Sequence, residues 1–222
     1  MPEQLTFDWP AGVALTAGDF FVTDANAAAY VMVTHPDSWP ERKLVLTGPA
    51  GSGKSHLARV FAAQTGATVI AVGDLVAIDP HLGTPVVVED ADRLPQAAET
   101  ALFHLHNHLS QARLPLLLTA RTLPARWPIA LPDLASRMQA TTPATIRDPD
   151  DALLSAVIMK LLADRQISYA PDLPGYLATR IERTFAAAAA VVDDLDRIAL
   201  RDKRKVNRAL AREILDTRQS SG

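Results

Sequence analysis

The 222-residue chain is long enough for one sizeable core, or for a main domain with a small second one. Its 48% hydrophobic and 21% charged residues are an ordinary globular balance, and a formal net charge of −3 argues against a broadly basic protein that coats nucleic acid, though not against a local patch. The absence of cysteine excludes disulfides and thiolate chemistry. With no secretory h-region after Met1-Pro2-Glu3-Gln4 and no apolar run of ~20 residues, a cytoplasmic protein with no membrane association is expected.

Residues 1–18 are short on helical periodicity and carry Pro2, Pro10, Gly12 and Gly18. Within them, Gln4-Leu5-Thr6-Phe7-Asp8-Trp9 puts a leucine and two large aromatics on a tail, which either packs on its own domain or docks in a partner's pocket. Phe20-Phe21-Val22 then precedes a helix over residues 25–33, capped by Asp24 or Asn26. Phe21 and Val22 are placed either to cover the base of a nucleotide or to pack in a core.

The most informative stretch is Gly48-Pro49-Ala50-Gly51-Ser52-Gly53-Lys54-Ser55, between the apolar run Leu44–Leu46 and a helix former that opens at His56. Strand, glycine-rich loop and helix follow in the order of a phosphate-binding loop. Glycines let successive N–H groups turn toward phosphate oxygens, and the helix adds the positive end of its dipole. Lys54 is placed for the β- and γ-phosphates and the Ser55 hydroxyl for Mg²⁺. A nucleoside di- or triphosphate (ADP or ATP) with Mg²⁺ is the expected cofactor.

Residues 67–72 read as a second strand. Val86-Val87-Val88-Glu89-Asp90 reads as a central parallel strand that delivers carboxylates at its end. Glu89 is expected near the metal, and Asp90 is expected to polarise the attacking water. The helix over 96–112 holds His104 and His108 at metal-ligand spacing without a well-placed third ligand, so surface or core histidines are the better reading. Leu114–Ala120 is another strand, with Thr119 where a hydroxyl senses a γ-phosphate. A short helix within 128–138 and a last strand at Thr145-Ile146 complete a five-stranded parallel sheet flanked by helices, an α/β phosphate-loop fold.

The pattern then becomes wholly helical, over 152–166, 173–183, 185–200 and 203–215. Three segments follow: a tail over 1–18, an α/β nucleotide domain over 19–149 and a helical lid over 150–222. The basic run Arg201–Arg208 lies just after Asp193, Asp194 and Asp196, and reads as a solvated face before a nucleic-acid patch.

Together these features resemble the AAA+ ATPases and, within them, the replication initiator DnaA and its shorter relatives of the Hda type. Leu131-Pro132-Asp133-Leu134-Ala135-Ser136-Arg137 resembles the segment that carries the arginine finger, at Arg137. Arg180-Ile181-Glu182-Arg183-Thr184-Phe185 with Asp194-Leu195-Asp196-Arg197 is similar to sensor 2, with Arg183 toward the nucleotide. Gln4–Trp9 resembles a sliding-clamp-binding peptide, with Phe7 and Trp9 where leucine is more usual, which favours docking over self-packing. Only 39 residues follow Arg183, so a duplex-binding domain of the DnaA kind is not expected, nor is sequence-specific duplex binding.

The resemblance implies a protein that the DNA-loaded clamp recruits and that inserts Arg137 beside the γ-phosphate of DnaA-bound ATP, thereby restraining replication initiation. It implies an ADP-holding site with weak hydrolysis of its own, and allows a homodimer. Two alternatives are a DnaA- or DnaC-like ATPase that binds single-stranded DNA or loads a helicase, and a clamp-tethered adaptor without catalytic contribution. A small-molecule kinase is disfavoured, because the helical lid follows the strands instead of interrupting them.

Overall fold

The computed structural model describes residues 20–219, with residues 14–15 as backbone only. They form two compact units: residues 26–147, and residues 148–219 with the segment that precedes residue 26. Among the described residues no helix is long and apolar enough to cross a membrane.

A short antiparallel pair, β1 (Ala14–Leu15) and β2 (Phe21–Val22), precedes α1 (Ala27–Thr34), with Asn26 at its N-cap position. The 26–147 unit then runs through β3 (Lys43–Thr47), α2 (Lys54–Thr65), β4 (Thr68–Ala71), β5 (Val86–Glu89), α3 (Glu99–Gln111), β6 (Leu116–Ala120), α4 (Pro132–Ala140) and β7 (Pro143–Thr145). The sheet is five-stranded and parallel, in the order β4-β5-β6-β3-β7. The expected architecture is therefore present.

The central strands are uninterrupted apolar runs because both faces are covered. Successive side chains alternate between faces. Val45, Val88 and Leu118 meet Leu102 and Leu105 of α3 and Met138 of α4 in one cluster. Trp39 stacks on Phe61 of α2, with ring centroids 5.2 Å apart, and both are buried. The edge strands β4 and β7 are partly exposed, and their sequences are less apolar. All five strands end on the same edge. The chain leaves β3 for the far strand β4 and returns on β3's other side only at β7, so a topological switch lies beside the loop that follows Thr47. Parallel sheets bind ligands at such a point.

The second unit holds α5 (Asp151–Asp164), α6 (Leu173–Ala178), α7 (Phe185–Asp202) and α8 (Arg208–Gln219). Asp150 caps α5, its Oδ1 accepting from the N–H of Leu153 at 2.7 Å. Thr184 caps α7 by accepting from Ala187 N–H at 3.1 Å. Leu154, Ile158, Leu177, Val191, Leu195 and Leu210 join in one core. Phe21 and Ala25 pack with Leu153, Ala156 and Phe185 in a second cluster, so residues 20–25 group with the helical unit although the sequence placed them with the sheet.

Candidate nucleotide-binding site

Gly48 to Gly53 join β3 to α2 across the carboxyl edge of the sheet. Gly48 N–H donates to the carbonyl of Ala120 at 3.3 Å, and Ser52 N–H to that of Pro49 at 3.3 Å. Gly51 and Gly53 take left-handed backbone, with φ of 78° and 89°, which glycine adopts without steric cost. A Cβ on Gly48 would stand 2.9 Å from the Ile146 carbonyl oxygen and 2.9 Å from Ser52 Oγ. No side chain caps the N-terminus of α2, which leaves its dipole for a ligand.

Two polar groups of the loop lack a natural counter-group. Ser52 is 4% exposed, and its Oγ has no hydrogen-bond partner among the described residues. Lys54 is buried, and its Nζ bends back to donate to the carbonyls of Gly48 at 2.8 Å and Pro49 at 2.6 Å. Burial holds the Lys54 ammonium below its ordinary pKa and Arg121 adds to this, while Asp90 and Asp92 pull the other way. An orphaned buried hydroxyl, a cradle that a Cβ would fill and an under-solvated ammonium fit a polyphosphate. Ser55 is exposed and His56 half-buried at the start of α2, which leaves the Ser55 hydroxyl open for a cation.

Glu89 ends β5, and Asp90 turns the chain away in left-handed backbone with φ 57° and ψ 39°. The Thr119 hydroxyl on β6 accepts from Asp90 N–H at 3.2 Å and so ties the two strand ends together. Arg121, assigned no role from sequence, joins this neighbourhood, as does Asp92, the last acid of the run that ends β5. Asp92 Oδ1 is buried without a hydrogen-bond partner among the described residues. Their only sequence signal is a position just beyond a strand end.

Arg137 lies on α4, exposed, with its guanidinium carbon 5.2 Å from the ring centroid of Phe103 on α3. No carboxylate among the described residues is within ion-pair distance of it. Glu99, in the first turn of α3, is 4% exposed. It accepts from Ala130 N–H at 2.9 Å and Leu131 N–H at 2.6 Å.

Arg183 forms a two-point ion pair with Asp151, Nε to Oδ1 at 2.8 Å and Nη2 to Oδ2 at 2.9 Å. Phe21 is a core side chain of the helical unit and Val22 is half-buried beside it. His108 faces His81, with Nδ1 atoms 3.4 Å apart, and His104 is an exposed neighbour of Phe103. No group of three or more metal-ligating side chains occurs among the described residues. Gln4, Leu5, Thr6, Phe7, Asp8 and Trp9 lie outside them.

No protein-family model matches the chain. Domain III of the replication initiation protein DnaA from Thermotoga maritima superposes with a TM-score of 0.72 at 17% identity, over 89% of this chain and 94% of that one. AMPPCP-bound DnaA from Aquifex aeolicus gives 0.64 at 16% identity, over 82% of this chain and 64% of that one. The RuvB Holliday junction branch migration motor of Thermotoga maritima gives 0.58 at 20% identity, over 79% and 61%. The chain thus spans less than two thirds of the latter two proteins. The chain shares the fold of these proteins, a five-stranded parallel sheet flanked by helices, with a helical unit following it in the chain.

Proposed function

We propose that the chain is a replication regulator of the Hda type, which holds ADP in its own phosphate loop and accelerates hydrolysis of ATP bound to DnaA. The observation that carries this reading is Arg137. It is exposed, has no acidic partner among the described residues and rests on the Phe103 ring, as a group meant for another protein's phosphate would. The likeness to DnaA domain III supports a setting in replication initiation.

In its own site, Lys54 would leave the Gly48 and Pro49 carbonyls for the β-phosphate, Ser52 Oγ would donate to a phosphate oxygen, and Ser55 and Glu89 would hold Mg²⁺. A bound nucleotide supplies the negative charge that these donors lack. Glu89 is one methylene longer than an aspartate and Asp90 is held in a turn. Own turnover is therefore expected to be slow, and the site serves to hold nucleotide rather than to consume it. Arg183, which the resemblance assigns to the nucleotide, is held only by a solvent-exposed and weak pair with Asp151 and so remains available to an anion.

On DnaA, water attacks the γ-phosphorus while the bond to the β,γ-bridging oxygen breaks. ADP leaves with that electron pair, and the water's proton ends on phosphate or solvent. Arg137 meets charge that grows on the γ-phosphoryl oxygens, a contribution worth ~10³–10⁵ in rate for arginine fingers. Gln4–Trp9 would bring the protein to the DNA-loaded clamp as an extended peptide in an apolar pocket.

The test is the rate of hydrolysis of ATP prebound to DnaA, with the full chain, ADP and clamp with or without DNA. Acceleration that needs loaded clamp supports the reading, and none with active partners contradicts it. The single-stranded-DNA alternative would use the basic run, where Arg201, Arg204 and Arg208 stand in exposed pairs with Asp202, Glu213 and Asp172, and steeply salt-dependent DNA binding without clamp would favour it.

A further inference from the structure

We infer that Glu99 is the positioning residue for Arg137: its buried carboxylate pins the entry to α4 and thereby sets where the guanidinium stands. This rests on the proposed role of Arg137 and identifies what fixes its place. The residue that follows the pinned pair, Pro132, is the first of α4 and has no N–H to offer. No side chain within α4's own leader caps it. The two N–H groups just before it, on Ala130 and Leu131, go to the two oxygens of one carboxylate, at 2.9 and 2.6 Å. A charge-assisted pair of this kind is stronger than neutral bonds and has a defined direction. The same carboxylate lies in the first turn of α3, so it faces the positive ends of two helices.

The second contact point follows from helix geometry. Phe103 is four residues after Glu99 and therefore on the same face of α3. The Phe103 ring carries the Arg137 guanidinium, and Glu99 holds the chain two residues before the first turn of Arg137's helix. Between the two points, Leu102 of α3 and Leu134 and Met138 of α4 are fully buried in one cluster, so α4 has little freedom to roll. One face of α3 therefore holds α4 at its entry and holds the finger at its base. A buried carboxylate is costly unless it is fully used, and here both oxygens are used on the backbone that enters α4. Displacement of a catalytic group by about 1 Å can cost ~10²-fold in rate.

The experiment compares Glu99→Gln, Phe103→Leu, Arg137→Ala and the double variant Glu99→Gln/Arg137→Ala in clamp-dependent hydrolysis of DnaA-bound ATP. Amide exchange at Ala130 and Leu131 is read by NMR in parallel. Gln keeps the length and one acceptor but loses the charge and the second acceptor. The expected result for Glu99→Gln is a stimulated rate lower by roughly 10–100-fold. The concentration for half-maximal stimulation and the affinity for ADP stay near wild type, and exchange at the two amides is faster. In the Arg137→Ala background Glu99→Gln produces no further loss, whereas a merely structural role would add to it. Phe103→Leu, which keeps the core apolar, lowers the rate in the same direction with ADP affinity unchanged. A wild-type rate in Glu99→Gln, a further loss in the double variant, or unchanged exchange at Ala130 and Leu131 overturns the inference. If Arg137→Ala itself stimulates normally, the role of Arg137 fails and this inference with it. Unchanged exchange beside a defective Arg137→Ala removes Glu99 alone.

Discussion

The Thr119 hydroxyl lies 3.2 Å from the backbone nitrogen of Asp90 and accepts its N–H, joining the carboxyl ends of β6 and β5 where the chain turns through left-handed backbone. Such a conformation costs a non-glycine residue of order 1–3 kcal/mol and persists when neighbours hold it. Thr119 is 2% exposed, so no water replaces it readily. The bond therefore holds the backbone turn at Asp90 against the end of β6. Thr119→Val keeps the shape and removes the acceptor. It is expected to lower stability by about 1–3 kcal/mol, the cost of a buried donor left unpaired. A urea midpoint equal to wild type would show that the hydroxyl does not hold the turn.

Gly48 is the position in the loop where space, as well as backbone, excludes a side chain. A methyl group there meets the Ile146 carbonyl oxygen and Ser52 Oγ at 2.9 Å and Ile146 Cβ at 3.0 Å. Gly48→Ala must push β7's exit or the loop aside, at an overpacking cost of ~1–3 kcal/mol. Calorimetric titration should show ADP affinity down by roughly tenfold or more, since 1.4 kcal/mol is one decade. Unchanged affinity in a folded variant would remove this loop from the site.

His106 on α3 is 3% exposed, and its Nδ1 is buried without a hydrogen-bond partner among the described residues. Burial, with the charges of Lys43 and Arg137, pushes its pKa down to about 4, against 6.5 for the free group. The folded protein thus keeps His106 neutral while the unfolded chain takes up a proton. Its contribution is full above pH 6.5, is lost as pH falls toward 4, and changes no further below that. The slope approaches 1.4 kcal/mol per pH unit, about one proton's worth. His106→Phe should remove that component between pH 6.5 and 4 and leave the carboxylate-driven loss. Parallel stability curves for the two proteins would contradict the assignment.

Much of the sheet unit was legible because its signals are local. Leu44–Leu46, Val86–Val88 and Leu116–Leu118 are short apolar runs of the kind a doubly covered strand has, and Gly48–Ser55 announces its loop by spacing alone. Element ends were less legible. The helix expected from Leu173 to Arg183 stops at Ala178, and the one expected from Lys203 starts at Arg208. Val206 is instead drawn into a parallel bridge with Tyr169, a partner that no local pattern reveals. The same holds for the site. Glu99 bonds to backbone 31 and 32 residues away and Arg183 pairs with Asp151 32 residues away. Such contacts depend on how elements pack, and a carboxylate in a first helical turn reads the same whether it serves its own helix or another.

Arg137 is the group proposed to act on another protein's nucleotide. The most direct measurement of that role is single-turnover hydrolysis of ATP prebound to DnaA, with DNA-loaded clamp and ADP, by the full chain and by Arg137→Ala. ADP affinity and clamp binding of the variant serve as controls. Clamp-dependent acceleration is expected from the wild-type chain, and its loss, by ~10³-fold or more, in a variant that still binds ADP and clamp. Acceleration that survives the substitution would contradict that role and leave a tether in place of a finger.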